Sequence, residues 1–275
     1  MKQINVMKSI FILCGCPMTG NTTIMLSLAY IKQAGIVSGS LRPVARKLEL
    51  EDHGEEFDKL MGSKLAELID PINDKYLIEA AKLSQEKYKN AVIESKPGAR
   101  FRKYKSDLNN EQNLNLDFGE SSTAIFLFAN WKVIQKRAEI NGRTKDLLKQ
   151  KERMVSDNSH YLTNYNFEPY EFRDWSRYVD IPINNSDISV KSTLEVIFKY
   201  LNYELTAEEK ERLDWIHSLY GENAENAKVA GEVILQKLKS NDQFFDPDWI
   251  SDNVVRELEE KYGVTRDNYQ GYFEK

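Results

Sequence analysis

The sequence predicts an α/β fold, in which a parallel sheet is flanked by helices and followed by a C-terminal helical extension. Two short apolar runs, Ile10 to Leu13 and Thr123 to Phe128, are typical of buried strands, and helical periodicity follows each of them directly. Strands that alternate with helices favour a parallel sheet with helices on both faces, a three-layer arrangement. From Thr206 onward the pattern is helical and polar.

The first half of the chain supplies one strand and three helices. Apolar residues recur at helical spacing from 22 to 34, and Gly35 is a natural helix stop. An acidic, glycine-broken loop occupies residues 49 to 58. Helical spacing resumes from Phe57 to Leu68, and another helix is expected over 74 to 89.

The second half continues the alternation. The strand at 123 to 128 leads into a helix that ends near Asn141-Gly142, and "RYVDIPI" at 177 to 183 predicts a third strand. A helix over 189 to 202 follows, then a capping box formed by Thr206 and Glu209, and a last helix near 249 to 262. We therefore divide the chain into an α/β domain, residues 1 to 205, and a helical extension, residues 206 to 275, packed on the same domain.

Composition limits the partners. The 275 residues are 41% hydrophobic, enough for a sizeable core, and 38 basic against 43 acidic residues give a net charge of -5. This balance indicates no general affinity for polyanions, and no stretch approaches the ~20 apolar residues of a membrane span. We expect neither a nucleic-acid nor a membrane partner, and the oligomeric state is unknown.

The two cysteines indicate a reducing compartment. Cys14 and Cys16 are one residue apart, where a disulfide between them would be strained. Lysines followed by a short apolar run and cysteine resemble a lipoprotein signal, but the run is shorter than the about 7 to 15 residues of a secretory core. A cytoplasmic location is the expectation.

A phosphate-binding loop is predicted at "GCPMTGNTT", residues 15 to 23. A strand, a glycine-flanked loop and a helix bring backbone N–H groups and the positive end of a helix to one point. Gly15 and Gly20 permit the tight backbone, and Thr22 and Thr23 add hydroxyl donors. An ordinary strand-to-helix turn is the alternative.

The loop departs from that of nucleoside triphosphatases, which reads G-x-x-x-x-G-K-[ST], because Asn21 stands at the lysine. Pro17-Met18-Thr19-Gly20-Asn21-Thr22 instead resembles the loop of the sulfotransferase family. Similar order and spacing extend over residues 9 to 210. The resemblance implies a P-loop-type fold that binds 3′-phosphoadenosine 5′-phosphosulfate without a metal and transfers sulfuryl to a hydroxyl or amine of a small-molecule or glycan acceptor. The implied donor-binding loop residues are Gly15, Pro17, Met18, Thr19, Gly20, Asn21, Thr22 and Thr23.

Four positions differ from the family pattern, and two of them, Trp131 at a proline and Arg137 at a serine, belong to its 3′-phosphate motif. Met18 stands where the family has lysine or arginine, and Ala129 stands where it has the arginine that holds the 3′-phosphate. Lys132 and Arg137 are the candidates to hold that phosphate instead. A missing loop cation can also be replaced from "KPGARFRKYK", which offers Lys96, Arg100, Arg102, Lys103 and Lys105.

A general base for the acceptor is expected in the acidic loop, where the resemblance places the family's base. Glu56 is the first choice, with His53 and Glu55 beside it. Because Met18 and Ala129 replace two cations of the family pattern, the sequence does not decide whether the chain is an active enzyme. The alternatives are a sulfotransferase-fold binding protein with impaired catalysis and a P-loop nucleoside or nucleotide kinase, which would need magnesium.

Overall fold

The computed structural model describes residues 9–50, 60, 63–96, 98–99, 122–140, 146–165, 168–171, 176–222 and 227–272. Five strands form one sheet: β1 (Ser9–Gly15), β2 (Gly35–Ser38), β3 (Asn90–Glu94), β4 (Ser122–Phe128) and β5 (Ile181–Asn184). Their order is β2-β3-β1-β4-β5, and every pairing is parallel. The α/β prediction with a parallel sheet is therefore confirmed.

Helices flank the sheet, and all of those named below except α2 have eight residues or more. They are α1 (Asn21–Lys32), α2 (Arg42–Lys47), α3 (Lys64–Tyr88), α4 (Trp131–Ile140), α5 (Asp146–Tyr165), α6 (Val190–Tyr200), α7 (Ala207–Glu222), α8 (Ala227–Ser240) and α9 (Pro247–Tyr262). A 3-10 turn, Tyr269–Tyr272, closes the described chain.

Two apolar clusters hold the layers together. On one face of the sheet, α2, α3 and α9 bury residues such as Val44, Ile69 and Val254 against β1 and β3. On the other face, α1, α6, α7 and α8 bury residues such as Leu28 and Ile234. The helices of the extension thus contribute to both layers.

The extension also completes one edge of the sheet. Ile36 of β2 donates its N–H to Gln243 O at 2.7 Å, and Phe245 donates to Ile36 O at 2.9 Å. This parallel bridge pairs Ile36 with Phe244. The opposite edge, β5, carries Pro182, a residue suited to an unpaired edge strand.

Several element boundaries differ from the sequence prediction. Gly35 does not stop α1: the stop is Gln33, which adopts the left-handed conformation with φ of 48°, and Gly35 begins β2. The two helices expected up to 68 and from 74 are one helix, α3, with Pro71 inside it. Burial of Ile69 and Ile72 on either side of Pro71 offsets the lost backbone hydrogen bond.

The third predicted strand was placed too early. Residues 176 to 178 are helical, and β5 occupies only residues 181 to 184. The predicted helix over 189 to 202 is present as α6, and the last helix is present as α9. The capping box is confirmed, since Glu209 accepts from Thr206 N at 2.9 Å and Thr206 Oγ1 accepts from Glu209 N at 3.2 Å.

Candidate functional site

The predicted phosphate loop lies at the carboxyl end of β1, the central strand. A Cβ at Gly15 would lie 2.3 Å from the carbonyl oxygen of Leu127 in β4, so only glycine allows this approach. Gly20 precedes α1 with φ of 90°, and no side chain caps the helix. The first N–H groups of α1 therefore lack intrahelical partners and are available to an anion.

Hydrogen bonds from the loop to the Leu127 carbonyl join it to β4. Cys16 N donates to Leu127 O at 3.0 Å. Thr19 is fully buried, and its hydroxyl donates to Cys16 O at 2.7 Å. The Thr19 hydroxyl is thus engaged within the loop, whereas Thr22 is solvent-exposed.

Met18 and Asn21 occupy the loop positions at which sulfotransferases and nucleoside triphosphatases, respectively, carry a cation, and their environments differ. Met18 adopts a positive φ of 63° and packs against an apolar cluster formed by Ile134, Ala138 and Leu147. Asn21 donates its amide to Cys16 O at 3.4 Å, and its Oδ1 is buried without a hydrogen-bond partner. Neither side chain brings positive charge to the loop.

A polar cavity of about 440 Å³ opens beside the loop. It is bounded by the carboxyl ends of β1, β2 and β3 and by α3, which is the edge of a parallel sheet where ligands usually bind. Arg42 lines the cavity as an exposed side chain. The charged and amide side chains that line it are Asn21, Arg42, Asp70, Asn73, Asp74, Glu94 and Lys96.

A carboxylate lies directly beside the loop. Thr22 Oγ1 donates to Glu94 Oε2 at 3.1 Å, and Glu94 is the last residue of β3. Burial raises the pKa of Glu94, while the Thr22 hydrogen bond and the charge of Lys96 act in the opposite direction. A half-buried carboxylate with a raised pKa, beside the predicted phosphate loop and in a cavity, is a candidate functional group.

A second polar group joins α3 to α5 at the far wall. His160 Nε2 contacts Asp70 Oδ2, and Asp157 accepts from Lys96 Nζ at 2.5 Å and from Tyr170 at 3.0 Å. Asp70 lines the cavity and is buried. Asp70 and His160 were not among the predicted site residues, since nothing in the local sequence around either residue indicates that they meet.

The His160 contact carries a pH dependence. Burial lowers the pKa of His160, but the Asp70 hydrogen bond and the charges of Asp70, Asp157 and Glu67 outweigh it, so the pKa is raised. A raised pKa adds stability that is fully present below the unfolded value of about 6.5 and is lost as pH rises through the folded pKa.

We therefore expect His160→Gln to lower the melting temperature most at pH 5.5 to 6 and progressively less above about pH 6.5. The measurement is the difference in melting temperature between the variant and the parent across pH. His217→Gln is the control, since His217 is exposed, and its difference should be small at every pH. A His160→Gln difference that grows with rising pH would contradict the assignment.

The remaining predicted site residues lie apart from the cavity or outside the described residues. Lys132 is exposed on α4, and Arg137 contacts the loop rather than the cavity. The three predicted general bases, His53, Glu55 and Glu56, lie outside the described residues, as do Arg100, Arg102, Lys103 and Lys105. Their assignment stays a prediction.

The cysteines are unpaired thiols at the end of β1. Burial raises the pKa of Cys14 to about 12 and that of Cys16 to about 11, so both stay protonated near neutral pH. Over the described ranges, no helix has the length and apolarity to cross a membrane.

No family model and no curated protein matches this chain. Among solved structures, an uncharacterised protein from Eubacterium ventriosum is similar to it with a TM-score of 0.44 and 18% sequence identity. The match covers 71% of this chain and 98% of that one.

Proposed function

We propose that this chain is a P-loop phosphotransferase, of the nucleoside or nucleotide kinase class, which binds a nucleoside triphosphate with Mg²⁺ at residues 15 to 23. The terminal phosphoryl group passes to a small polar acceptor in the adjoining cavity. The observation that carries the proposal is the contact between the Thr22 hydroxyl and the Glu94 carboxylate, 3.1 Å apart at the mouth of the loop.

The charge of Glu94 favours a phosphoryl donor that binds together with a metal ion. A carboxylate beside bound phosphate repels it, unless a cation lies between them. Hydroxyl and carboxylate oxygens are ligands that Mg²⁺ prefers, and this ion commonly takes one or two protein groups together with substrate phosphates. Among the described side chains, no three His, Cys, Asp or Glu residues converge to hold a metal. Thr22 and Glu94 fit the smaller set that a nucleotide complex needs.

Each part of the site has a role in transfer. The N–H groups at the start of α1 bind the phosphates, and Thr22 and Glu94 would hold Mg²⁺, which would neutralise charge on the phosphate oxygens. Asp70, held by His160, orients the acceptor hydroxyl and accepts its proton. The acceptor oxygen bonds to the terminal phosphorus, and the broken P–O bond leaves its electron pair on the nucleoside diphosphate.

Sulfuryl transfer is the second candidate, and Asn21 favours it. The Asn21 amide donates back to Cys16 O, so the position reserved for a triphosphate-binding lysine instead braces the loop. This reading keeps 3′-phosphoadenosine 5′-phosphosulfate as the donor, with no metal. The packing of Met18 against Ile134 and Leu147 supports a form of this candidate that binds the donor and transfers slowly or not at all.

Nucleotide binding with and without metal separates these candidates. We expect ATP with Mg²⁺, at a hundredfold excess over Kd, to raise the melting temperature by on the order of 5 °C or more. ATP in EDTA should give a much smaller rise. A rise with 3′,5′-bisphosphoadenosine in EDTA, and none with ATP and Mg²⁺, would favour the sulfotransferase. No rise with either nucleotide would remove the phosphate-loop assignment.

The role of Glu94 is tested by Glu94→Gln, which keeps a hydrogen-bond acceptor for Thr22 and removes the charge. Titration calorimetry should show that Mg²⁺ no longer strengthens ATP binding, a loss of about tenfold or more. Glu79→Gln is the matched control, since Glu79 is exposed on α3 outside the cavity and should keep the full Mg²⁺ effect. An unchanged Mg²⁺ effect in Glu94→Gln would refute the metal assignment.

A further inference from the structure

The phosphate loop lacks its own cation. Met18 packs on an apolar cluster, and Asn21 is neutral and bonded to Cys16. Of the two cations that line the cavity, Lys96 forms an ion pair with Asp157 at 2.5 Å, and Arg42 is solvent-exposed. A loop that binds a multiply charged phosphate therefore needs positive charge from another element.

Arg137 of α4 brings a guanidinium to the loop backbone. Its Nη1 donates to Thr19 O at 3.5 Å and to Asn185 Oδ1 at 3.2 Å, and its Nη2 donates to Asn185 O at 2.7 Å. Asn185 follows β5, is only 5% exposed, and donates its own amide to the same Thr19 carbonyl. Two side chains from separate elements thus hold one carbonyl of the loop.

The surroundings of Arg137 strengthen the electrostatic effect of its positive charge. The side chain is half-buried, and desolvation lowers its pKa, although an arginine keeps its charge at neutral pH. A charge in poorly hydrated surroundings acts over a longer range than an exposed one. Thr19 directly precedes Gly20, the N-cap residue of α1.

We propose that Arg137 is a positioning residue that supplies the positive charge missing from positions 18 and 21, acting through the Thr19 carbonyl and Asn185. This inference rests on the proposed function only in requiring that the loop bind phosphate. Arg137 fixes the Thr19–Gly20 peptide so that the following N–H groups face the anion, and its charge attracts that anion.

The test measures the Kd for ATP with Mg²⁺ by titration calorimetry, alongside the melting temperature of each variant. Arg137→Gln should weaken binding by about 10- to 100-fold, the usual range for losing a charged hydrogen-bond partner. Arg137→Lys should stay within a few-fold of the parent, since it keeps the charge. Lys136→Gln removes an exposed cation from the same helix and should leave the Kd unchanged.

Charge compensation separates this role from a purely structural one. Met18→Lys placed in the Arg137→Gln background should restore most of the lost affinity, a larger gain than the same substitution gives in the parent. The inference is overturned if Arg137→Gln binds like the parent, or if neither Arg137→Lys nor Met18→Lys retains or restores binding.

If Arg137→Gln fails to fold, Arg137→Lys and the single Met18→Lys variant still decide, because a large gain from Met18→Lys alone means that the charge was missing. If the parent binds no nucleotide, the proposed function fails instead.

Discussion

Replacing Lys32 by methionine is expected to destabilise the protein by about 3 to 5 kcal/mol, the usual cost of leaving a buried charge without its partner. Lys32 Nζ lies 2.7 Å from Glu209 Oε1, and the two side chains are only 7% and 10% exposed. Lys32 also lies over the ring of Tyr203, 3.7 Å from its centroid. The variant loses both contacts, and a buried carboxylate remains.

The measurement is chemical denaturation at neutral pH, with a fall in melting temperature on the order of 10 °C as a second readout. Lys191→Met is the matched control, because its partner Asp214 is 69% exposed, and such pairs contribute about 1 kcal/mol or less. The double variant Lys32→Met/Glu209→Gln should recover part of the lost stability, since it removes the carboxylate charge that no longer has a counter-ion. Equal effects of Lys32→Met and Lys191→Met would contradict the burial argument.

Gly15→Ala should disrupt both the fold and the loop. The added Cβ would meet two backbone atoms of Leu127, its oxygen at 2.3 Å and its nitrogen at 2.9 Å. Backbone cannot move aside as a flexible side chain does, so β1 and β4 must separate at their paired ends. We expect a loss of about 3 kcal/mol or more and a weakening of nucleotide binding beyond tenfold.

Gly231→Ala provides a control of opposite sign. Gly231 lies inside α8, and a Cβ there would meet nothing within 4 Å. The substitution should stabilise the protein by about 0.5 to 1 kcal/mol, because alanine loses less backbone entropy in a helix. Both variants are read by denaturant unfolding and ATP titration. Gly15→Ala matching Gly231→Ala in either readout would show that the loop tolerates a side chain.

Local signals were predictable from the sequence where one segment carries the whole pattern. The apolar run of β1, the glycine-flanked loop and α1 follow one another directly, so residues 9 to 32 were placed correctly apart from the helix stop. The capping box of α7 depends on two residues three positions apart. Such features need no knowledge of the rest of the chain.

Short strands and the far wall of the cavity were not predictable in this way. β2 and β3 have four and five residues, and their stability comes from pairing within the sheet rather than from local pattern. Glu94 meets Thr22 across 72 positions, and His160 meets Asp70 across 90. Only the parallel topology brings these residues together.

The bridge between Ile36 and Phe244 also has a consequence for folding during synthesis. Roughly 200 residues separate the two partners, which a ribosome adds in on the order of 10 to 40 s. Until then, the outer edge of β2 presents an unpaired N–H and C=O at Ile36, the kind of edge to which other chains can pair. The nascent protein therefore depends on its last segment for protection against aggregation, and truncation before residue 243 leaves that edge open for the lifetime of the molecule.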